Sequence, residues 1–167
     1  QQATHIVADG HGLQWAAKIL LNQSLTIITG ISLVQNILKN NLGTVYIVGG
    51  EPEQIGINVA NIKHNYPQAI ISGYHHGYFS NEETQAVIEQ IKKIKPQFIF
   101  VGLGFPKQEY FTQKLEEAGI HAITIGIGGA IDVVSGQKYP APRWVMAIKC
   151  EWLFRATQEP RRVLRWK

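Results

Sequence analysis

The sequence has almost no cysteine and no long apolar run. Cys150 is the only cysteine among 167 residues, which excludes an internal disulfide and a zinc site built from several thiolates. No apolar run reaches the roughly 20 residues that a membrane-spanning helix needs, and the first residues, QQATHIVADG, lack the features of a signal peptide. Because hydrophobic residues make up 45% and charged residues 17%, we expect a soluble globular protein. The single cysteine favours a reducing compartment.

The standard nucleotide-binding motifs are also missing. The sequence contains no G-x-x-x-x-G-K-[ST], which argues against a P-loop. In GIGGAI (126–131) and GLGFPK (102–107), Ile131 and Lys107 stand where a dinucleotide fingerprint has its third glycine. A classical NAD-binding site is therefore disfavoured.

Basic residues are scarce in the body of the chain and concentrated at its C-terminal end. Residues 143–167 contain seven basic and two acidic residues, which leaves nine basic and ten acidic residues in 1–142. Three of the four tryptophans lie in the same segment. Basic residues beside tryptophan favour an anionic membrane surface. Nucleic acid is the competing partner, and a C-terminal helix packed on the sheet is the third interpretation.

What the sequence does contain is a regular alternation of short apolar strands and helical patterns. Strands are predicted at 4–8, 25–29, 44–48, 69–72, 98–101 and 121–127, with Gly73 in the loop after the fourth. Helices are predicted between the strands: one starts at Ser32, another carries the apolar stripe of Ile55, Val59 and Ile62, and a third is capped by Ser80 with Glu83 at capping-box spacing. This alternation predicts an α/β fold, with a Rossmann-like, mostly parallel sheet and helices on both faces. We expect one core over residues 1–139 and a basic helical appendage over 140–167, after a linker that contains Pro140 and Pro142.

The stretch VGLGFPKQE (101–109) indicates a buried strand, a tight turn and a helix start. Every predicted strand leads into glycine, so one edge of the sheet would carry loops that suit phosphate groups. The edge would also hold Asp9, Gln108, Glu109 and Asp132, and we interpret the set as a binding cleft.

Taken singly, these residues have simpler explanations. Lys107 is either a phosphate ligand or a solvated lysine. Glu109 is either a general base or a carboxylate at the positive end of a helix, and Asp9 is either functional or a turn residue. The pair His75-His76 lacks a carboxylate at ligand spacing, so a packing or hydrogen-bonding role is favoured over a metal site.

The chain resembles the WecG/TagA/CpsF family of bacterial glycosyltransferases over essentially its whole length. The matching segments are ADGHGLQWAAKIL (8–20), VYIVGGEPE (45–53), SGYHHGYF (72–79), VGLGFPKQE (101–109), GIGGAIDVVSG (126–136), APRWV (141–145) and EWLFRATQEPRRVLRW (151–166). PKQE and EWLFR…QEPRR together make the resemblance specific.

The resemblance implies an inverting, metal-independent transfer without a cofactor. An N-acetylmannosamine-type sugar, or its uronic acid, would pass from a UDP donor to GlcNAc on undecaprenyl diphosphate. The product would feed teichoic acid or other surface polysaccharides, and the protein would lie on the inner face of the bacterial cell membrane. A homo-oligomer is compatible with this, and nucleic acid is not an expected partner.

The resemblance also assigns residues. Asp9 would be the general base. The donor would be bound by Tyr78, Gln108, Gly128, Gly129 and Asp132. The acceptor diphosphate would be bound by Arg155, Arg161, Arg162 and Arg165, which would also offset charge on the departing UDP.

The sequence departs from the family pattern at two places. Family members carry a further N-terminal segment before the DG motif, and this sequence starts almost at that motif, so we expect that segment to be lacking. Where the family has G-x-D-L, residues 30–33 read GISL. The alternative function is therefore a catalytically inactive UDP-sugar-binding remnant of the fold. A third class, based on the basic C-terminal segment, is a nucleic-acid-binding module.

Overall fold

The computed structural model describes residues 17–24 and 29–137. Residues 17–21 are helical. The elements that follow are α1 (Gly30–Lys39), β1 (Val45–Gly49), α2 (Pro52–Asn65), β2 (Ile71–His75), α3 (Asn81–Ile94), β3 (Phe98–Gly102), α4 (Lys107–Glu117), β4 (Ile123–Gly126) and α5 (Ala130–Val134). The strand predicted at 4–8, residues 25–28 of the next one and the appendage at 140–167 lie outside the described residues.

The four described strands form one parallel sheet in the order β2-β1-β3-β4. β1 and β3 pair in register, with Val45 opposite Phe98 and Val48 opposite Val101. Each described strand is followed by a helix, and the helices after β1, β2 and β3 return the chain to the amino end of the sheet for the next strand. The predicted Rossmann-like α/β fold is confirmed.

Two hydrophobic cores cover the two faces of the sheet. The first core contains buried residues of α1, α2 and α5 and the side chains of Val45 and Ile47. The second core contains buried residues of α3 and α4 and the side chains of Tyr46 and Val48. All five residues of β1 are buried, because alternate side chains of a central strand enter opposite cores.

The helix ends follow the local signals in the sequence. Ser80 caps α3 and forms a capping box with Glu83: the Ser80 hydroxyl accepts from the Glu83 N–H at 3.2 Å, and the Glu83 carboxylate accepts from the Ser80 N–H at 2.7 Å. The Thr29 hydroxyl caps α1 by accepting from the Ser32 N–H, and α1 begins at Gly30, earlier than its predicted start at Ser32. No helix in the ranges 17–24 and 29–137 is long and apolar enough to cross a bilayer.

The predicted ends of two strands were wrong. β2 continues through Gly73 to His75, although Gly73 was assigned to the following loop. A Cβ on Gly73 would lie 2.5 Å from Cε2 of Tyr46, so this glycine makes room for a large ring on the neighbouring strand instead of forming a turn. β4 is also shorter than the predicted 121–127, since it spans only Ile123–Gly126.

Candidate functional site

The loops that follow β1, β2, β3 and β4 meet at one edge of the sheet, here called the carboxyl edge. Parallel strands bring their carboxyl ends to the same side, which is where ligands bind in open α/β sheets. The helices α2, α3 and α4 begin at this edge. They are 14, 14 and 11 residues long. Their N-terminal N–H groups and dipoles therefore favour anionic groups there.

Glycines pack these loops backbone to backbone. A Cβ on Gly49 would lie 2.7 Å from the carbonyl oxygen of Gly102, and a Cβ on Gly102 would lie 2.6 Å from that of Gly128. The N–H of Gly77 donates to the carbonyl oxygen of Gly50 at 2.8 Å. Side chains cannot occupy these contacts, so peptide groups form much of the surface of the carboxyl edge.

Gln108 connects α4 to the loop after β4. Its Oε1 accepts a hydrogen bond of 3.3 Å from the N–H of Gly128. Its amide also lies against Gly126, where an added Cβ would collide with it. Gln108 is half-buried, whereas Lys107 and Glu109 on either side are exposed. The side chain of Gln108 therefore faces the strand loops, whereas its two charged neighbours are exposed.

Asp132 belongs to a polar network between α2 and α5. Oδ1 of Asp132 accepts from Nδ2 of Asn58 at 3.2 Å. The hydroxyl of Ser135 lies 3.0 Å from Oδ1 of Asn58 and 3.1 Å from the carbonyl oxygen of Asp132. Nδ2 of Asn58 would be 3.8 Å from a Cβ on Gly50. The network therefore places the Asp132 carboxylate beside the loop after β1.

Asn58 was missed by the sequence analysis. It is fully buried and lies on the stripe of α2 that also contains Ile55, Val59 and Ile62. A polar residue at a core position of a helix usually satisfies another buried polar group. That interruption of the apolar pattern was the available signal.

Tyr78 lies in the loop after β2, and its side chain is 67% exposed. Its N–H donates to Nδ1 of His76 at 3.3 Å.

The rings of His75 and His76 are 4.4 Å apart, and His75 also meets the edge of Phe79. The two histidines thus pack and hydrogen-bond where β2 passes into its loop, as the sequence favoured. The described ranges contain no group of three His, Cys, Asp or Glu side chains that could hold a metal ion.

The structure brings all five predicted donor-binding residues to the carboxyl edge. Gln108 lies in the first turn of α4 and Asp132 in α5, whereas Gly128 and Tyr78 lie in the loops after β4 and β2. Gly128 has a φ of +49°, which favours glycine, and Gly129 is the N-cap of α5. Two other predictions lie outside the described residues: the base, Asp9, and the arginines Arg155, Arg161, Arg162 and Arg165. The roles of all these residues remain predictions.

The fold and the glycine-built edge define a Rossmann-like α/β protein whose ligand site suits phosphate-bearing molecules. The sequence model of the "Glycosyl transferase WecG/TagA/CpsF family" matches residues 1–166. The chain belongs to this family of glycosyltransferases, which confirms the family that the motifs predicted.

Curated relatives of this chain are also described as glycosyltransferases. Proteins from Staphylococcus aureus strains MW2 and NCTC 8325 are 35% identical to this chain, and the protein of strain MRSA252 is 34% identical, each over 169 aligned residues. All three are described as N-acetylglucosaminyldiphosphoundecaprenol N-acetyl-beta-D-mannosaminyltransferase. The alignments cover 99% of this chain and 66% of each relative, so the chain spans slightly less than two thirds of their length.

Proposed function

We propose that this protein is an inverting glycosyltransferase that moves an N-acetylmannosamine-type sugar, or its uronic acid, from a UDP donor. The acceptor is GlcNAc linked to undecaprenyl diphosphate at the inner face of the bacterial cell membrane. The observation that carries the proposal is the convergence of Gln108, Asp132 and the glycine loops at the carboxyl edge of a chain that belongs to a glycosyltransferase family.

The carboxyl edge has the chemistry that a nucleotide-sugar donor requires. The peptide-lined glycine loops and the N-termini of α2 and α4, which have no side-chain cap, suit a diphosphate. The Asp132 carboxylate can accept hydrogen bonds from sugar hydroxyls, and the Gln108 amide can both donate and accept. The exposed ring of Tyr78 offers a flat surface beside them.

The proposed transfer is a single displacement. The acceptor hydroxyl oxygen attacks C1 of the donor sugar on the face opposite UDP, and Asp9 takes the hydroxyl proton. The new C1–O bond forms as the bond from C1 to UDP breaks, and the bonding electrons leave with UDP. Arg155, Arg161, Arg162 and Arg165 offset the charge on both diphosphates, so the proposed step needs no metal ion.

The test is an assay with UDP-N-acetylmannosamine and a GlcNAc-diphosphate-polyprenol, with the product identified by mass spectrometry. We expect Asp9→Asn to lower the transfer rate by roughly 10²–10⁴-fold, because a positioned base contributes about that factor. UDP binding, measured by calorimetry, should change little. Glu116→Gln on the outer surface of α4 is the matched control.

Two outcomes would contradict the proposal at different levels. UDP binding without transfer to the acceptor would identify a sugar-nucleotide-binding remnant. Loss of transfer in Glu109→Gln, with Asp9→Asn still active, would move the base to the first turn of α4.

A further inference from the structure

A groove of about 440 Å³ lies between α3 and α4, beside the carboxyl edge. Its size is within the range of small-molecule sites, roughly 300–1,000 Å³. No family-derived role falls on the residues that form it. Six of the residues that line it are Phe79, Leu103, Lys107, Tyr110, Phe111 and Lys114.

The floor of the groove is apolar and aromatic. The rings of Phe79 and Phe111 are 5.6 Å apart, and Phe111 is buried in the second core. The side chain of Tyr110 lies along the wall and is 64% exposed. An exposed aromatic wall above an apolar floor leaves a hydrophobic surface that a chain of hydrocarbon can cover.

The groove is continuous with the predicted donor site. Gly77 and Leu103 line its end at the carboxyl edge, and Cδ2 of Leu103 would be 3.0 Å from a Cβ on Gly77. Their loops also carry the predicted donor-binding residue Tyr78 and lead to Gln108. A molecule in the groove would therefore have one end next to the reacting sugar.

Charge varies along the groove. Lys107 and Lys114 are seven residues apart, so they lie on one stripe of α4 at a spacing of about 10 Å. Lys107 is in the first turn, where the positive end of the helix adds to its charge. At the other end Glu117 lies near Lys114 and offsets it. Lys107 therefore places a positive charge at the end of the groove nearest the donor site.

We infer that the groove between α3 and α4 binds the isoprenoid segment of the acceptor that adjoins its diphosphate. This inference rests on the proposed function, which supplies an acceptor with an anionic head and an apolar tail. Lys107 adds a contact to the diphosphate beside those expected from the four arginines, the first isoprene units cover Phe79, Leu103 and Tyr110, and the GlcNAc reaches the carboxyl edge. The anionic head then meets Lys107, and the apolar tail covers the aromatic floor of the groove.

A direct binding experiment tests the site without depending on transfer. The full chain is irradiated with a benzophenone-bearing farnesyl diphosphate, and labelled peptides are mapped by mass spectrometry. We expect labels within 77–84 and 103–117. Lys107→Glu should lower labelling about tenfold, the effect of roughly 1.4 kcal/mol. Lys93→Glu, the same change on α3 outside the groove, should leave it unchanged. Labels confined to other segments, or equal effects of both lysine variants, would overturn the inference.

Kinetics separate this inference from the proposed function. We expect Tyr110→Ala to raise KM several-fold for an acceptor with a long polyprenyl chain, and to leave KM unchanged for one with a short alkyl chain. Tyr74→Ala, which removes an exposed ring outside the groove, is the control. Equal effects on both acceptors would overturn the groove site. Absence of transfer by the wild-type chain, together with labelling in the groove, would overturn the proposed function and support the groove site.

Discussion

The side chain of Tyr46 is completely buried although it carries a polar hydroxyl group. Its hydroxyl has no hydrogen-bond partner within the described part of the chain, and burial raises its pKa from 10.0 to about 12. In the unfolded chain the pKa returns to about 10. Folding then favours the protonated form, so stability is constant below pH 10 and falls as the pH rises from about 10 to about 12.

We therefore expect Tyr46→Phe to stabilise the protein. The gain at pH 7 should be about 1 kcal/mol, since an unsatisfied buried hydroxyl is removed. At pH 11 the advantage over the wild type should grow by about a further 1.4 kcal/mol, because ionisation no longer opposes folding. Urea denaturation at both pH values measures this. Tyr110→Phe, at an exposed ring, is the control, and an advantage that stays constant with pH would contradict the raised pKa.

Asn58 donates a hydrogen bond to the Asp132 carboxylate, and the effect of this bond on donor binding can be tested separately from packing. Asn58→Ala should cost about 2–3 kcal/mol, because a buried side chain and its hydrogen bonds are lost. It should also weaken UDP-sugar binding, measured by calorimetry. Ser135→Ala removes one hydroxyl from the same network and should cost about 1 kcal/mol. Full donor affinity in Asn58→Ala would show that Asp132 does not depend on Asn58.

Asn58→Asp gives a second measurement of the same contact. It would place two carboxyl groups where the amide and Asp132 now lie 3.2 Å apart. One of them would have a raised pKa, so the variant should regain stability relative to the wild type as the pH falls from 7 to 5. A constant difference across that range would mean that the two side chains move apart.

At the scale of the elements, the contact between Gly126 and Gln108 at the carboxyl edge can be tested by substitution. In Gly126→Ala the new methyl group would displace the Gln108 amide, and the Gly128 N–H would lose its acceptor. Because the side chain can rotate away, the stability cost should be about 1 kcal/mol. UDP affinity should fall about tenfold, the loss of roughly 1.4 kcal/mol, as it should in Gln108→Ala. Calorimetry with UDP measures both effects.

A double variant makes that prediction sharper. If Gly126→Ala acts only by displacing Gln108, the two substitutions together should weaken UDP binding no more than either alone. Gly30→Ala is the control, because no described atom lies within 4 Å of its added Cβ. Additive losses would mean that Gly126 affects the donor site independently of Gln108.

The sequence predicted those features of the elements that depend on neighbouring residues. The capping box of Ser80 and Glu83 and the apolar stripe of α2 are local patterns, and the structure contains both. The strand position of Gly73 could not be predicted, because it depends on a Tyr46 ring from a strand 27 residues earlier in the chain. The contact of Gln108 with Gly126 likewise depends on the packing of two loops that no local pattern specifies.

At the scale of the whole molecule, the sheet separates two hydrophobic cores, and the candidate ligand site lies at its carboxyl edge. The alternation of strands and helices was enough to predict this arrangement, since a parallel sheet must be covered on both faces. Asp9 and the four arginines lie outside the described residues, so how they complete the site remains a prediction from the family motifs. The near-neutral body and basic C-terminal segment suggest that the ends of the chain supply the charge that the described core lacks.

That division of charge leads to the last prediction. Deletion of residues 143–167 removes seven basic residues and three tryptophans. We expect binding to vesicles of phosphatidylglycerol to fall strongly, because each basic residue near an anionic surface contributes about 1 kcal/mol. Cosedimentation with vesicles measures this, and neutral phosphatidylcholine vesicles are the control. UDP binding by the shortened chain shows whether the core stays folded. Unchanged binding to anionic vesicles would mean that the segment packs on the core, and strong salt-dependent binding of the full chain to DNA would favour nucleic acid as the partner.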